Sequence, residues 1–479
     1  MMAVKKITPD TVQHFLDNLV QVGQPEAPTP QFDEVLKNMR KLGLEPGAPV
    51  MIAMPNGRQF VTIVFALLTL GAVPVLLPSS APPSRIYRIA KVLGANTLIA
   101  LHTPPGLRQV KTTLVLSQGV KLTFLDEVEA RRYRPGELIL LTSGTSGIFS
   151  GCLFNIDALF LNASRHAQAV GQTPADRVLI NLPMYYSYAF VAQLLAAFAL
   201  GSTAIIAGPP FTPVNYERTI HDYQITQSSL TPLMVDAWLQ AGSENLPAPL
   251  RRLTVGGDAL APTSVAAVLM RNPGLELYLT YGLTQAGPRV ATLAAHLEPP
   301  RRYASVGLPL PGVQVHLRKE NPGDKVGELI VETETGMLCR IGKHDKPTTP
   351  VNGNKRMICT GDIFEMDDDG YLFFRQRQPT YVMSRGEKVC MKSVCEIAET
   401  IPGVSRAEAW VHEGNSDEVA FTLDVYCDDA TLNENGIRRQ LGKVLLRSEQ
   451  PTYLVIHPAS NVGWRKTATK KTAATNKRS

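Results

Sequence analysis

Residues 60–78 read FVTIVFALLTLGAVPVLLP, an apolar stretch long enough to suggest a transmembrane helix. Gly71 and Pro74 interrupt it, and β-branched residues dominate its second half, so the pattern predicts a buried helix, a turn and a buried strand. The arrangement has an echo. Residues 65–78 (FALLTLGAVPVLLP) and 196–209 (AAFALGSTAIIAGP) each place a helical apolar run before Leu-Gly and a short strand-like run. A glycine there suits a left-handed helix cap, and a wholly apolar strand suits a parallel sheet covered on both faces. Strands are predicted at 49–54, 97–101, 137–141, 177–182, 226–229, 251–255 and 276–281, alternating with helical segments, which points to α/β layers.

The texture changes after residue 305. Segments 313–318 (VQVHLR with its neighbours) and GELIVE at 327–332 predict a small β-rich region. Beyond residue 377 come a short strand, a helix at 393–400, strands at 404–412 and 419–427, a helix at 434–446 and a strand at 453–457. The expected fold class is therefore α/β: a large N-terminal body of stacked, mainly parallel sheets with a small β-rich region (1–376), then a small α+β domain (377–463). Residues 464–479 are basic, rich in Thr and Ala, and predicted to be disordered.

Composition narrows the function classes. The net charge of +6 suggests a polyanion partner until its distribution is read. Arg465, Lys466, Lys470, Lys471, Lys477 and Arg478 account for the whole excess of 48 basic over 42 acidic residues, so residues 1–463 are formally neutral. A nucleic-acid-binding body is disfavoured. Six scattered cysteines without a C-x-x-C pair predict reduced thiols and a cytoplasmic protein. Nine histidines form no H-E-x-x-H cluster, so no transition-metal site is expected, and no membrane span is expected either.

The sharpest local signal follows the apolar strand at 137–140. Residues 141–147 read LTSGTSG, a loop whose glycines permit tight turning and whose hydroxyls lie beside exposed backbone N–H groups. Such a loop wraps phosphate oxygens, although no G-K-[ST] follows to make it a Walker loop. An ordinary Ser/Gly-rich turn reads the same way in isolation.

In order along the chain, TSGTSGIFSG (142–151), LPMYYSYAF (182–190), GGDAL (256–260), YGLTQAGP (281–288), GELIV (327–331), TGD (360–362) and Arg377 through RGEKV (385–389) resemble the motifs of the adenylate-forming superfamily of acyl-CoA synthetases, adenylation domains and luciferases. The resemblance covers roughly residues 40–463. It implies that Thr142, Ser143, Gly144, Thr145, Ser146 and Gly147 hold ATP phosphates. Tyr281 would stack on adenine, with Gly256, Gly257, Asp258 and Ala259 along its edge. Asp362 would accept the ribose hydroxyls, assisted by Arg377. Thr284 would act near the phosphate. The acid pocket would be lined by Tyr186, Tyr188, Thr231, Met234, Gly256 and Leu283, with Gly282 at its junction with the nucleotide. ATP and Mg²⁺ are implied cofactors, with CoA or phosphopantetheine on an acyl carrier protein as acceptor and a small carboxylic acid as substrate.

Departures from the family pattern remove charge. Phe149-Ser150-Gly151 stands where the family carries Pro-Lys-Gly, Gln285 where it carries a Mg²⁺-binding glutamate, and Met383 where a lysine is common. Pro379 occupies the hinge position and restricts φ. The C-terminal lysine position holds Trp464, and a two-residue slip would bring Lys466 into the catalytic role. The function implied is AMP-forming ligation of an acid to a pantetheine thiol. The alternatives are an amide synthetase that captures the acyl-adenylate with an amine, and a catalytically weakened ATP-binding homologue.

Overall fold

The computed structural model describes residues 6–458 except 25–30, 118, 143–149, 209–210, 243–244, 320, 322, 343–344, 352, 378–380, 386, 412–419 and 429–430. Ser143 to Gly147, Pro379, Trp464, Lys466 and the basic tail therefore lie outside the described residues.

Period-two alternation along buried strands builds a layered body. In strand Pro49–Ala53, Val50 and Ile52 enter a central core while Met51 and Ala53 enter an outer one. Strand Arg177–Ile180 does the same, with Val178 and Ile180 central and Leu179 in a third core. Two sheets thus share the central core and each buries its far face separately. One sheet orders its nine strands as 346–347, 339–341, 150–155, 137–142, 73–77, 49–53, 97–100, 120–125 and 110–117. The other orders eight as 20–21, 203–206, 177–180, 227–230, 252–256, 276–282, 289–294 and 308–309. The interior pairings are mostly parallel; strand 20–21 closes one edge of the eight-stranded sheet in parallel, while its other edge and both edges of the nine-stranded sheet are antiparallel.

The echoed units meet in the middle. Helix Arg58–Leu70 ends at Gly71 (φ +81°) before strand Val73–Leu77, and Ala196–Leu200 ends at Gly201 (φ +77°) before Thr203–Ile206. Their helices pack through Phe65 and Phe198, whose ring centroids lie 4.6 Å apart. Just upstream, Tyr188–Leu195 winds as a π-helix, a widened turn that often accompanies functional sites.

The β-rich region is a five-stranded antiparallel sheet that includes Gln314–Arg318, Val326–Thr333, Lys355–Met366 and Leu372–Arg377. After it come a hairpin, Tyr381–Ser384 with Glu387–Cys390, and a three-stranded sheet of Val404–Val411, Phe421–Cys427 and Tyr453–Pro458 with helices Met391–Ala398 and Glu434–Gly442. The second helix stops short of the residue 446 that the sequence suggested. Lys443 caps it, and Leu445 turns inward as a buried residue.

Candidate nucleotide and acid site

Parallel strands Gln227–Leu230, Arg252–Gly256 and Glu276–Gly282 run side by side, and ligands in α/β sheets bind beyond such carboxyl ends. Thr231, Gly256, Gly257 and Gly282 lie at that edge. Gly256 is required by crowding: a Cβ there would run into the Thr280 hydroxyl and press on the Arg289 guanidinium. At Gly282 a Cβ would collide with the Pro288 carbonyl. Gly257 has φ +96°, a left-handed conformation that a side chain resists. Asp258 is exposed and its carboxylate accepts from the Ala259 N–H at 2.8 Å, which shapes the turn.

Residues far apart in sequence meet here. Asp362 is 2% exposed, and its Oδ2 accepts from the Tyr281 hydroxyl at 2.7 Å across 81 residues. Tyr281 also packs edge-on against buried Phe364, with centroids 4.8 Å apart. The turn that presents Asp362 is held locally. Gly361 has φ +71°, the Thr360 hydroxyl accepts from the Asp362 N–H at 3.0 Å, and Glu328 Oε1 accepts from the Gly361 N–H at 3.0 Å. Arg377 stands opposite Asp362 in the strand pairing. The Thr284 and Ser187 hydroxyls are 3.0 Å apart, joining segment 281–288 to segment 182–190. Gln285 is half-buried and its carbonyl accepts from Met337 N–H at 2.9 Å.

In segment 182–190, Tyr188 is half-buried and its hydroxyl lies 3.1 Å from that of Thr254. Leu283 is buried, Met234 is partly buried between two cores, and Thr231 lies near the Gly257 backbone. Tyr186 packs against Tyr185 at a 44° tilt with centroids 4.4 Å apart and remains 36% exposed. Thr142 ends strand Glu137–Thr142 half-buried. Gly151, where the chain re-enters the sheet, admits no Cβ because Ile139 of the neighbouring strand fills the space.

Several site residues were not singled out from sequence. Glu328 lies inside GELIV and was legible as a motif member only. Asn162 and His166, four apart on helix Ile156–Ala169, are both fully buried. Asn162 accepts from the Arg289 N–H at 2.9 Å and donates to the Arg289 carbonyl at 3.0 Å and to Thr335 Oγ1 at 3.1 Å. Burial, and next the charge of Arg289, push the His166 imidazole down to about 3, so it is neutral. Tyr185 donates to Glu387 Oε1 at 3.1 Å, and Ser448 donates to Glu387 Oε2 at 2.5 Å. Arg85 pairs with Glu449 at 2.5 Å, both side chains 8% exposed. These contacts tie the last α+β module to the body beside segment 182–190. Burial, then the neighbouring Glu387 carboxylate, raises the Tyr185 phenol well above its ordinary value.

Comparison with known proteins agrees with this fold. The AMP-binding enzyme family matches residues 34–339. A 2-succinylbenzoate–CoA ligase of Bacillus cytotoxicus is 25% identical over 392 residues, 80% of this chain and 79% of that protein. The 4-coumarate–CoA ligase 2 of Nicotiana tabacum is 22% identical over 452 residues, 86% and 82% of the two chains. Among solved structures, the o-succinylbenzoate CoA synthetase MenE of Bacillus subtilis, bound to its product analogue OSB-NCoA, superposes with TM-score 0.77 at 17% identity, covering 93% of this chain and 94% of that one. The amide bond synthetase McbA of Marinactinospora thermotolerans gives 0.73 at 18%, covering 93% and 95%. At these identities the structural likeness speaks for the fold. Among the described residues no helix is long and apolar enough to cross a membrane.

Proposed function

This chain belongs to the AMP-binding enzyme family, and we propose that it activates a carboxylic acid with ATP and passes the acyl group to a pantetheine thiol. A carboxylate oxygen attacks the α-phosphorus, the bond to pyrophosphate breaks, and the acyl-adenylate is then attacked at its carbonyl by the thiol, which loses its proton as AMP leaves. The protein's share is positioning and charge placement.

The observation that carries the reading is the pairing of Asp362 with Tyr281 at the carboxyl edge of the sheet. A buried carboxylate beside an aromatic ring suits a ribose diol and the purine attached to it. Thr284 and the loop from Thr142 to Gly147 face the phosphates in this reading, with Arg377 beside the ribose. Tyr186, Tyr188, Thr231, Met234, Gly256 and Leu283 take the acid. Mg²⁺, when bound, neutralises triphosphate charge. Gln285 and Thr284 are neutral oxygen donors, and they fit a hard cation carried mainly by phosphates and water. We place the domain boundary at residue 377, so that Glu387, Ser448 and Glu449 belong to the C-terminal domain. The six cysteines are scattered along the sequence with no C-x-x-C pair, which suits the cytoplasm.

The test is mass detection of acyl-AMP and pyrophosphate exchange with pooled aryl, fatty and amino acids. Acyl-AMP is expected with at least one class, and Asp362→Ala should lower its yield at least about 10-fold through lost ribose hydrogen bonds. Lys466→Ala should lower it as well; an unchanged yield removes Lys466 from the site. No acyl-AMP from any class, with no thermal stabilisation by ATP, overturns the proposal. The McbA likeness and a rigid Pro379 at the hinge position favour a second reading, amide synthesis. Product that requires an added amine and ignores CoA would select it.

A further inference from the structure

Arg289 follows Gly287-Pro288 directly after the YGLTQA segment, and its backbone is clamped by Asn162 from the central helix. Its side chain is 3% exposed. Nη1 donates to Thr280 Oγ1 at 2.8 Å, and the guanidinium carbon lies 3.7 Å from the centroid of the Tyr188 ring. Nε and Nη2 have no hydrogen-bond partner among the described residues, and neither ring nitrogen of fully buried His166 has one. Gly256 leaves the cation the space that any side chain would take. The guanidinium thus sits between Tyr188 and the Gly256 strand end, among residues assigned to the acid pocket. A buried cation without an anion is costly, and its idle donors form a planar fork that matches a carboxylate.

We infer that Arg289 is the specificity determinant of an anion subsite in the acid pocket, and that the acid substrate carries a second carboxylate besides the one that is activated. The inference rests on the acid-activating reading of the pocket. Arg289 receives the distal carboxylate through Nε and Nη2, while Tyr188 covers the face of the guanidinium. An acid lacking the second anion leaves the cation desolvated and unpaired, so it is rejected by what it fails to supply.

The test uses the full chain and pairs of probes sharing one skeleton: benzoate against isophthalate and terephthalate, and butyrate against glutarate. Calorimetric titration without ATP reads binding itself, whether or not adenylate forms. At least one diacid is expected to bind about 100-fold more tightly than its monoacid partner. Arg289→Met should abolish that preference without lowering the melting temperature, and Arg289→Lys should retain part of it. Equal binding of monoacid and diacid, binding of neither, or a preference that survives Arg289→Met overturns the inference. So does a melting temperature lowered alike by Arg289→Met and Arg289→Lys, which marks a packing role. A diacid that binds through Arg289 but never yields acyl-AMP keeps the subsite and sinks the ligase reading instead.

Discussion

Asp176 and Arg289 are both buried in the same eight-stranded sheet region, and their surroundings are opposite. Asp176 precedes strand Arg177–Ile180 at the amino edge of the parallel strands, and its side chain is wholly inaccessible. It accepts from Thr173 N–H at 2.7 Å, from the Thr173 and Thr226 hydroxyls at 2.9 and 2.8 Å, and from Arg251 and Arg252 at 2.9 Å. Burial pulls its pKa up, but bonds from Thr226 and Thr173 and the charge of Arg252 outweigh this and hold the carboxyl below its ordinary 3.8. Arg289 begins an antiparallel strand at the opposite, carboxyl edge, beside Gly282, with two nitrogens idle among the described residues. A buried charge that only holds structure is saturated by its own chain. One left open at the edge where ligands bind is held for something that arrives later.

The contrast breaks most sharply at Asp176. Asp176→Ala removes the buried acceptor shared by Thr173, Thr226, Arg251 and Arg252, leaving Arg252 with Glu276 alone, and should cost about 3–5 kcal/mol in urea unfolding. A loss below about 1 kcal/mol would show that the network is not what closes the amino edge. Next comes the histidine beside Arg289. His166 is held neutral at about 3 against 6.5 when unfolded, so its contribution is present above pH 6.5 and lost as pH falls from there toward 3. Between pH 7 and pH 5 that amounts to about 2 kcal/mol. Denaturant titrations of the natural protein and His166→Gln should differ by this excess acid loss; identical pH dependence would mean that the imidazole is solvated. The smallest effect belongs to an exposed pair, Arg132 with Glu45, whose side chains are 57% and 60% exposed. Glu45→Gln should change stability by less than about 1 kcal/mol, fading with added salt.

Much of the layering was legible because its causes are local. Gly71 and Gly201 end their helices where the sequence placed them, since a left-handed cap depends on the residue itself. The apolar run at 73–77 and the largely apolar run at 203–206 became strands in sheet interiors. Antiparallel edges were not legible, because strand direction depends on which strand a segment meets. Motif order brought Tyr281 and Asp362 to attention separately, but the 2.7 Å bond between them closes 81 residues of chain. Arg289 was not singled out at all. Next to Gly-Pro it reads as an ordinary basic residue on a turn, and Asn162, which clamps it, lies 127 positions away.

By itself the sequence determined the alternation of helix and strand, the glycine-capped repeat, the order of the family motifs, and a neutral body with its charge excess in the tail. Those depend on neighbours a few residues apart or on composition. Only the tertiary structure decided which charges are paired. Asp176 collects donors from three separate segments, while Arg289 is enclosed by Tyr188, Thr280 and Gly256 without meeting an acceptor for Nε or Nη2 among the described residues. Burial and pairing are properties of packed distance, and a chain folded across hundreds of positions sets those distances by how its sheets stack.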